Sequence, residues 1–354
     1  MIATTEGQKA SGTARTTAAN IGVIGLGRMG QVYANHVAKQ VENANLVAIA
    51  DPRVEVRDEF KARLGTIVAY DDYHDLLNEA DLQGVIIATP TSTHREIVIA
   101  AAQAGKAIFC EKPTSLSLAT TDEMIAAVDS AGVIFQVGFM RRFDEGYVEA
   151  RRKIDEGVIG RPVTIRSIGR DPFRTSLEFA NPAVSGGLIV DMAIHDFDVL
   201  RWLMGDEVER VYTESAALVY PELQTIGDAD NVQVVLRFKN GALGNVEVSR
   251  TAVYGYDIQC EVVGEKGTVQ IGYLRQTPIL TLTKEGVLHD VVPHFPQRFG
   301  KAYTKQIEHF VECIVNDKTP MVSGADGRAA LQIALAATIS QREGRVVQVQ
   351  SIHA

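Results

Sequence analysis

From Ile21 onward, short apolar runs alternate with longer amphipathic stretches, which is the rhythm of parallel strands joined by crossover helices. The runs at 21–24, 46–50, 84–88, 107–110 and 133–137 are apolar and largely β-branched, and they predict strands buried on both faces. Stretches 29–40, 93–104 and 118–130 carry apolar residues at helical spacing, with Gly105 and Gly132 where C-caps belong. After about Arg161 the period changes to two. Segments 163–168, 232–238, 242–249, 258–263 and 268–271 predict antiparallel strands. Asn240-Gly241, between two of them, predicts a two-residue hairpin turn with both central residues at positive φ. A helix over 188–204, closed by Gly205, interrupts this region; helices over 303–315 and 325–341 and a strand over 346–349 follow. The expected fold is α/β, with a doubly wound parallel sheet first and an α+β domain after it.

Composition narrows this picture. A length of 354 residues is long for one domain, and 46% apolar residues supply enough core for two. The expected division is a disordered leader at 1–19, a first domain at 20–140 and a second at 141–354, with the last helix and strand packing back on the first. The leader is rich in Thr, Ala and Gly and shows neither an apolar signal core nor an arginine pair, and the chain has no apolar run of membrane-spanning length. A net charge of −9 lacks the basic footprint that nucleic acid requires. Cys110, Cys260 and Cys313 are odd in number and widely spaced, so no disulfide framework or zinc knuckle is expected, and a reducing cytoplasm fits.

Chemistry enters at the first strand. Gly25-Leu26-Gly27-Arg28-Met29-Gly30 is G-x-G-x-x-G between a buried strand and a helix, and Asp51 ends the next strand about 20 residues on. Glycine permits the tight turn, the backbone's approach to a pyrophosphate, and close packing of helix on strand, while the helix N-terminus offers free N–H groups to the anion. This is the Rossmann fingerprint of a dinucleotide site. Asp51 favours NAD, because it accepts from ribose hydroxyls and would repel a 2′-phosphate by ~4 kcal/mol near a surface. Arg53 either pairs with a phosphate or serves as a stacking platform for adenine.

Two loops follow later strands at their carboxyl ends, where ligands bind in open parallel sheets. One holds Thr89, Pro90, Thr91 and His94, and the other Glu111, Lys112 and Pro113. His94 either caps the next helix or faces the nicotinamide. Lys112, directly after a buried strand, either orients a substrate hydroxyl or is a surface lysine paired with Glu111. Asp191 and His195 lie four apart on one helix face, where a carboxylate can brace an imidazole acting as a base. Alternatively they are an exposed helix pair. No cysteine or histidine is placed recognisably to complete a zinc site, so no metal is expected.

On these residues the chain resembles the Gfo/Idh/MocA oxidoreductase family, and within it the inositol 2-dehydrogenases, over nearly everything after residue 20. The glycine loop with Asp51, the 88–94 segment, Cys110-Glu111-Lys112-Pro113, Gly138-Phe139-Met140-Arg141-Arg142-Phe143-Asp144, and Gly186-Gly187 through Asp191 to His195-Asp196 carry the likeness. The resemblance implies NAD as cofactor, Lys112 as catalytic lysine, His195 as proton acceptor with Asp191 as its partner, and an open, mainly antiparallel second sheet used to form homotetramers. Met140 and Arg141 match a segment lining the substrate pocket. Asp171, Arg174, Tyr254 and Tyr256 are added as polar and aromatic groups near that pocket that suit a polyol. Thr91 departs from the asparagine of many relatives and leaves the nicotinamide contact open. His294 and Arg298 are candidates for contributing to a neighbouring subunit's pocket.

The implied reaction is oxidation of a ring secondary alcohol of an inositol or pyranose to a ketone, with hydride passing to NAD and the proton to His195. Rival functions on this fold are a glycosidase that uses NAD transiently and a noncatalytic NAD-sensing regulator. The presence of Lys112, Asp191 and His195 counts against the second.

Overall fold

The computed structural model describes residues 18–65, 67–272, 276–277, 279–284 and 286–352. Positions 1–17 of the expected leader lie outside the described residues. Its last residue does not belong to a leader, because Ala19 opens the first strand and is fully buried.

The N-terminal sheet is built from β1 (Ala19–Ile24), β2 (Ala44–Ala50), β3 (Val68–Tyr70), β4 (Gly84–Ile87), β5 (Ala107–Cys110) and β6 (Phe135–Val137). Its order β3-β2-β1-β4-β5-β6 is all parallel and reverses direction between β1 and β4. That reversal opens a crevice at the strands' carboxyl ends, as the Rossmann expectation requires. Connecting helices are α1 (Arg28–Lys39), α2 (Val54–Leu64), α3 (Tyr73–Leu77), α4 (His94–Gln103) and α5 (Leu118–Ala131). Gly132 closes α5 in the left-handed conformation that glycine adopts without strain.

The second sheet follows α6 (Glu145–Asp155). It comprises β7 (Pro162–Arg170), β8 (Val208–Ala216), β9 (Asn231–Phe238), β10 (Leu243–Ser249), β11 (Asp257–Gly264), β12 (Thr268–Ile271) and, much later in the chain, the last strand Val347–Gln348. Among the described residues, β7 with β10 is its one parallel pair, so the sheet is mainly antiparallel as expected. Short helices α7 (Leu177–Ala180) and α8 (Pro182–Ser185), a π-helical turn (Ile189–Ala193) and α9 (Ile194–Met204) lie between β7 and β8. A two-stranded hairpin, β13 (Thr281–Thr283) with β14 (Gly286–Leu288), precedes α10 (Phe295–Asn316) and α11 (Gly324–Glu343), and β15 (Val347–Gln348) ends the set. Helix α11 packs on α5 and β6 of the first sheet and on β8 of the second, while β15 pairs with β8.

The Asn240-Gly241 turn differs from expectation. The loop is three residues long, Phe238 N–H donating to Ala242 O and Gly241 N–H to Phe238 O. Only Gly241 takes positive φ, at +91°, which is the type I turn with a glycine bulge rather than the mirror-image two-residue turn. The side chain of Asn240 accepts from Ala242 N–H instead of entering the left-handed region.

Candidate active site

The glycine turn has the shape a dinucleotide needs. Gly25 has φ +86°, and a Cβ there would lie 2.9 Å from Ala88 O; a Cβ on Gly30 would collide with the carbonyl oxygen of Gly25. Those two glycines serve the packing of α1 against β1 and β4. Gly27 is different, because among the described residues nothing lies within 4 Å of the Cβ it lacks. It is also the N-cap of α1 and offers no capping side chain, and the first turn, Arg28-Met29-Gly30-Gln31, contains no acid. Open space beside free N–H groups and an uncompensated helix N-terminus fits a pyrophosphate.

Asp51 follows β2 and anchors this loop, its Oδ2 accepting from Leu26 N–H at 2.7 Å. Burial works against its ionisation. The Arg53 guanidinium and the Leu26 and Arg53 amides outweigh that and hold its carboxyl below the usual range. The Arg53 fork is folded onto Asp51, Nε to Oδ1 and Nη2 to Oδ2, both at 2.8 Å.

Beside the glycine turn a cavity of about 270 Å³ opens between the two sheets. Arg28 and Met29 enter it from α1, Thr89, Pro90, Thr91 and His94 from the loop after β4, and Glu111 and Lys112 from the loop after β5. Met140, Arg141, Asp171, Asp191, His195 and Tyr256 line its other side. Lys112 Nζ donates to the carbonyl oxygen of Asp191 at 2.7 Å and reaches Asp191 Oδ1 at 3.3 Å. The amine, from the loop after β5, and the imidazole of His195, from α9, thus face one cavity. Burial, then the charges of Lys112 and Arg141, push His195 well below the usual histidine range, which favours the neutral ring. Glu111 sits behind them, accepting from Tyr33 O–H and from Lys112 N–H, and burial raises its carboxyl.

A family model described as the NAD-binding Rossmann fold of this oxidoreductase family matches residues 19–139, and one for its C-terminal alpha/beta domain matches residues 151–349. The chain belongs to the Gfo/Idh/MocA oxidoreductase family. It is 40% identical over 327 residues to scyllo-inositol 2-dehydrogenase (NAD(+)) of Bacillus subtilis, covering 92% of this chain and 95% of that protein. It is also 40% identical to Myo-inositol 2-dehydrogenase of Thermotoga maritima, covering 94% and 99%. Among solved structures, scyllo-inositol dehydrogenase from Lactobacillus casei with bound NAD(H) and scyllo-inositol superposes with a TM-score of 0.90 at 31% identity, covering 94% and 99%. The cofactor of this Gfo/Idh/MocA oxidoreductase is NAD.

Several sequence expectations for this Gfo/Idh/MocA chain need correction. Asp191 does not brace His195. Residues Ile189–Ala193 form a π-helical turn, so the α-helical stacking of positions four apart is lost, and the carboxylate is taken by Lys112 and Arg250. Among the described residues His195 Nδ1 is buried without a hydrogen-bond partner, and the ring packs edge-on against Phe139. His94 does not cap α4; it lines the cavity, and its ring nitrogens lie 3.0 Å from Thr89 O and 3.0 Å from Pro113 O, tying together the loops after β4 and β5.

Arg141 lines the cavity yet is 2% exposed and pairs with Asp196 at 2.6 Å. Arg174 and Tyr254 lie outside the cavity. Arg174 pairs with Glu222 at 3.0 Å and lies over Tyr220. Tyr254 O–H donates to Asp257 Oδ2 at 2.9 Å. Residues two apart share a face in a strand, but Gly255 at φ +146° turns the chain between the tyrosines, sending Tyr256 inward and Tyr254 outward. His294 and Arg298 are engaged within this chain, His294 against Phe173 and Phe295, and Arg298 with Asp144 at 2.6 Å.

Sequence reasoning missed Arg250. It is fully buried at the end of β10, with Nη2 2.9 Å from Asp191 Oδ2 and Nη1 3.4 Å from Asp228 Oδ2. Asp228 in turn accepts from Leu188 N–H, at the entry to the π-helical turn. The available signal was the one that exposed Lys112, a cation directly after a buried strand. Phe295 and Tyr303 of α10 also line the cavity; the helix expected over 303–315 begins eight residues earlier, at Phe295.

Proposed function

We propose that this chain oxidises a ring secondary alcohol of an inositol, or of a related pyranose, to the ketone. Lys112 Nζ donates to the substrate hydroxyl and holds the negative charge that develops on its oxygen. His195, neutral in its buried setting, takes the hydroxyl proton as the carbon–hydrogen bond breaks. Bound NAD supplies the acceptor for the departing hydride, giving ketone, NADH and a released proton. Asp191 positions Lys112 through both its carbonyl and its carboxylate. Asp171, Met140 and Tyr256 are the cavity residues that contact the remaining ring hydroxyls and ring face.

The observation that carries this reading is the convergence of Lys112 and His195 on one cavity beside the glycine turn. The inositol class is supported by the 40% identity to a scyllo- and a myo-inositol dehydrogenase over more than nine-tenths of the chain. Absorbance of NADH over a panel of myo-inositol, scyllo-inositol and common pyranoses tests it, with net NADH expected for at least one inositol. Sugar hydrolysis without net NADH, or NAD binding without turnover of any panel member, would overturn it.

The protein is further proposed to work in the cytoplasm as a homotetramer. The outward face of the second sheet, where Val235 and Leu243 stand 55% and 50% exposed beside Arg237 and Asn245, is the surface proposed for subunit contact. Light scattering of the purified chain checks the oligomer.

A further inference from the structure

We propose that the ring polyol this chain oxidises best carries an ammonium group on a carbon other than the one oxidised, as an aminocyclitol or amino sugar does, and that Asp171 is the partner of that ammonium. The proposal rests on the dehydrogenase reading above. The carbinol and NAD give ketone, NADH and a proton, and the bond from carbon to nitrogen is left intact.

Asp171 follows β7 and is fixed by its backbone, its N–H donating to Ser249 O at 2.8 Å and its carbonyl accepting from Ala252 N–H at 3.0 Å. Those two bonds straddle Arg250, and the residue lines the cavity. The cations acting most strongly on its carboxylate are Arg250, Lys112 and Arg141. Each of them is engaged elsewhere. Arg141 pairs with Asp196 at 2.6 Å, Lys112 with Asp191 at 3.3 Å, and Arg250 with Asp191 at 2.9 Å and Asp228 at 3.4 Å. Three cations therefore stand against four acids, and Asp171 is the acid whose carboxylate takes neither a hydrogen bond nor an ion pair from the described residues. Towards the glycine turn Arg28 and Glu111 offset each other. Ionised Asp171 thus leaves one negative charge at the cavity without a cation of its own.

A neutral ring hydroxyl can donate to this carboxylate but leaves its charge in place beside Asp191. An ammonium both donates and cancels the charge. Tyr256 and Phe179 line the same cavity, and a desolvated cation is attracted to aromatic faces. Burial, then the Asp171 charge, push the Tyr256 hydroxyl up, so Tyr256 brings a ring and not a second anion. The groups that face Asp171 are Asp191 of the π-helical turn, Arg250 after β10, Lys112 after β5, Arg141 of the turn after β6 and Tyr256 before β11. Burial, then Asp191, raise the Asp171 carboxyl to about 6, so it is ionised near neutral pH and takes up its proton below 6. Preference for an amine should follow that titration.

Isothermal titration of the full-length chain saturated with NADH compares myo-inositol, a set of inosamines each bearing an amine in place of one hydroxyl, and their N-acetyl derivatives. Near pH 7 the best inosamine is expected to bind about tenfold more tightly than myo-inositol, and its N-acetyl derivative, which lacks the charge, no more tightly than myo-inositol. At pH 5 the preference should shrink to about twofold, because Asp171 is then mostly protonated. Asp171→Asn should bring it to about one at both pH values; if that variant does not fold, the pH and acetylation comparisons on the wild type decide. No preference for any inosamine near pH 7, or a tenfold preference that persists at pH 5 or in Asp171→Asn, overturns the proposal. NADH formation from the same compounds with NAD separates it from the reading it rests on. Turnover of myo-inositol with no preference for an amine sinks this proposal alone, whereas no NADH from any ring polyol, amine-bearing ones included, sinks both.

Discussion

Asp51 and Asp191 are both carboxylates at the cleft, each gripped by an arginine, yet the two pairs are built differently. Arg53 stands two residues from Asp51 and is more than half exposed. Arg250 comes from the end of a strand in the other sheet, 59 residues along the chain from Asp191, and is fully buried. An exposed local pair contributes about 0–1 kcal/mol and opens readily. A buried pair opens only by leaving an uncompensated charge in low dielectric, which costs several kcal/mol. The cofactor side of the cleft is therefore adjustable, and the catalytic side is held rigid.

The sharpest way to break this contrast is Arg250→Met. Asp191 would keep Lys112, but Asp228 would lose its cation, and stability should fall by about 3–5 kcal/mol in urea unfolding. Arg250→Lys should recover part of that loss; a melting curve like the wild type's for Arg250→Met would show that the buried pair does not hold the turn. Lys112→Ala separates chemistry from scaffold. Turnover should drop about a hundred- to a thousandfold, while NADH titrates as in the wild type.

Asp171 tests how strongly the rigid side is coupled. Burial, then the neighbouring Asp191 charge, push its carboxyl up to about 6. A carboxyl raised above its unfolded value of about 3.9 contributes stability that is complete below that pH and lost as pH rises through 6. Unfolding free energy of the wild type relative to Asp171→Asn should therefore decline between pH 4 and pH 6, by about 3 kcal/mol at most, and level off above 7. A flat difference would remove Asp171 from the coupled cluster. Smaller still, Arg53→Ala should leave stability within about 1 kcal/mol. Arg174→Ala and Tyr254→Phe, both outside the cavity, should change kcat/KM by less than about twofold.

Much of the first domain was legible because its signals are local. Five of the six parallel strands announce themselves as short apolar runs, and the glycine turn needs only strand, turn and helix in order. The exceptions have local reasons. Strand β3 is three residues at the sheet edge with Val68 exposed, and among the residues of α2 only Phe60 is buried, so neither presents a clear period. Strand β8 was missed because its pairing with β9 shifts register between Val208 and Arg210, which spoils the alternation. In the site, Lys112, Asp191 and His195 were found and brought to one cavity, but their contacts were not. The π-helical turn replaced an expected carboxylate–imidazole contact with a carboxylate–amine one.

By itself the sequence determined the order of elements, the glycine cradle, the acid that follows β2 and the residue types that chemistry requires. All of these depend on neighbours within a few turns of chain, where steric and hydrogen-bonding rules act directly. Only the tertiary structure decided which partner each buried charge takes, Arg250 on Asp191 and Arg141 on Asp196, and that the His94 ring lies between two carbonyls. A buried charge is satisfied by whichever opposite group the packing of distant segments delivers, and that delivery has no signature in the spacing of residues along the chain.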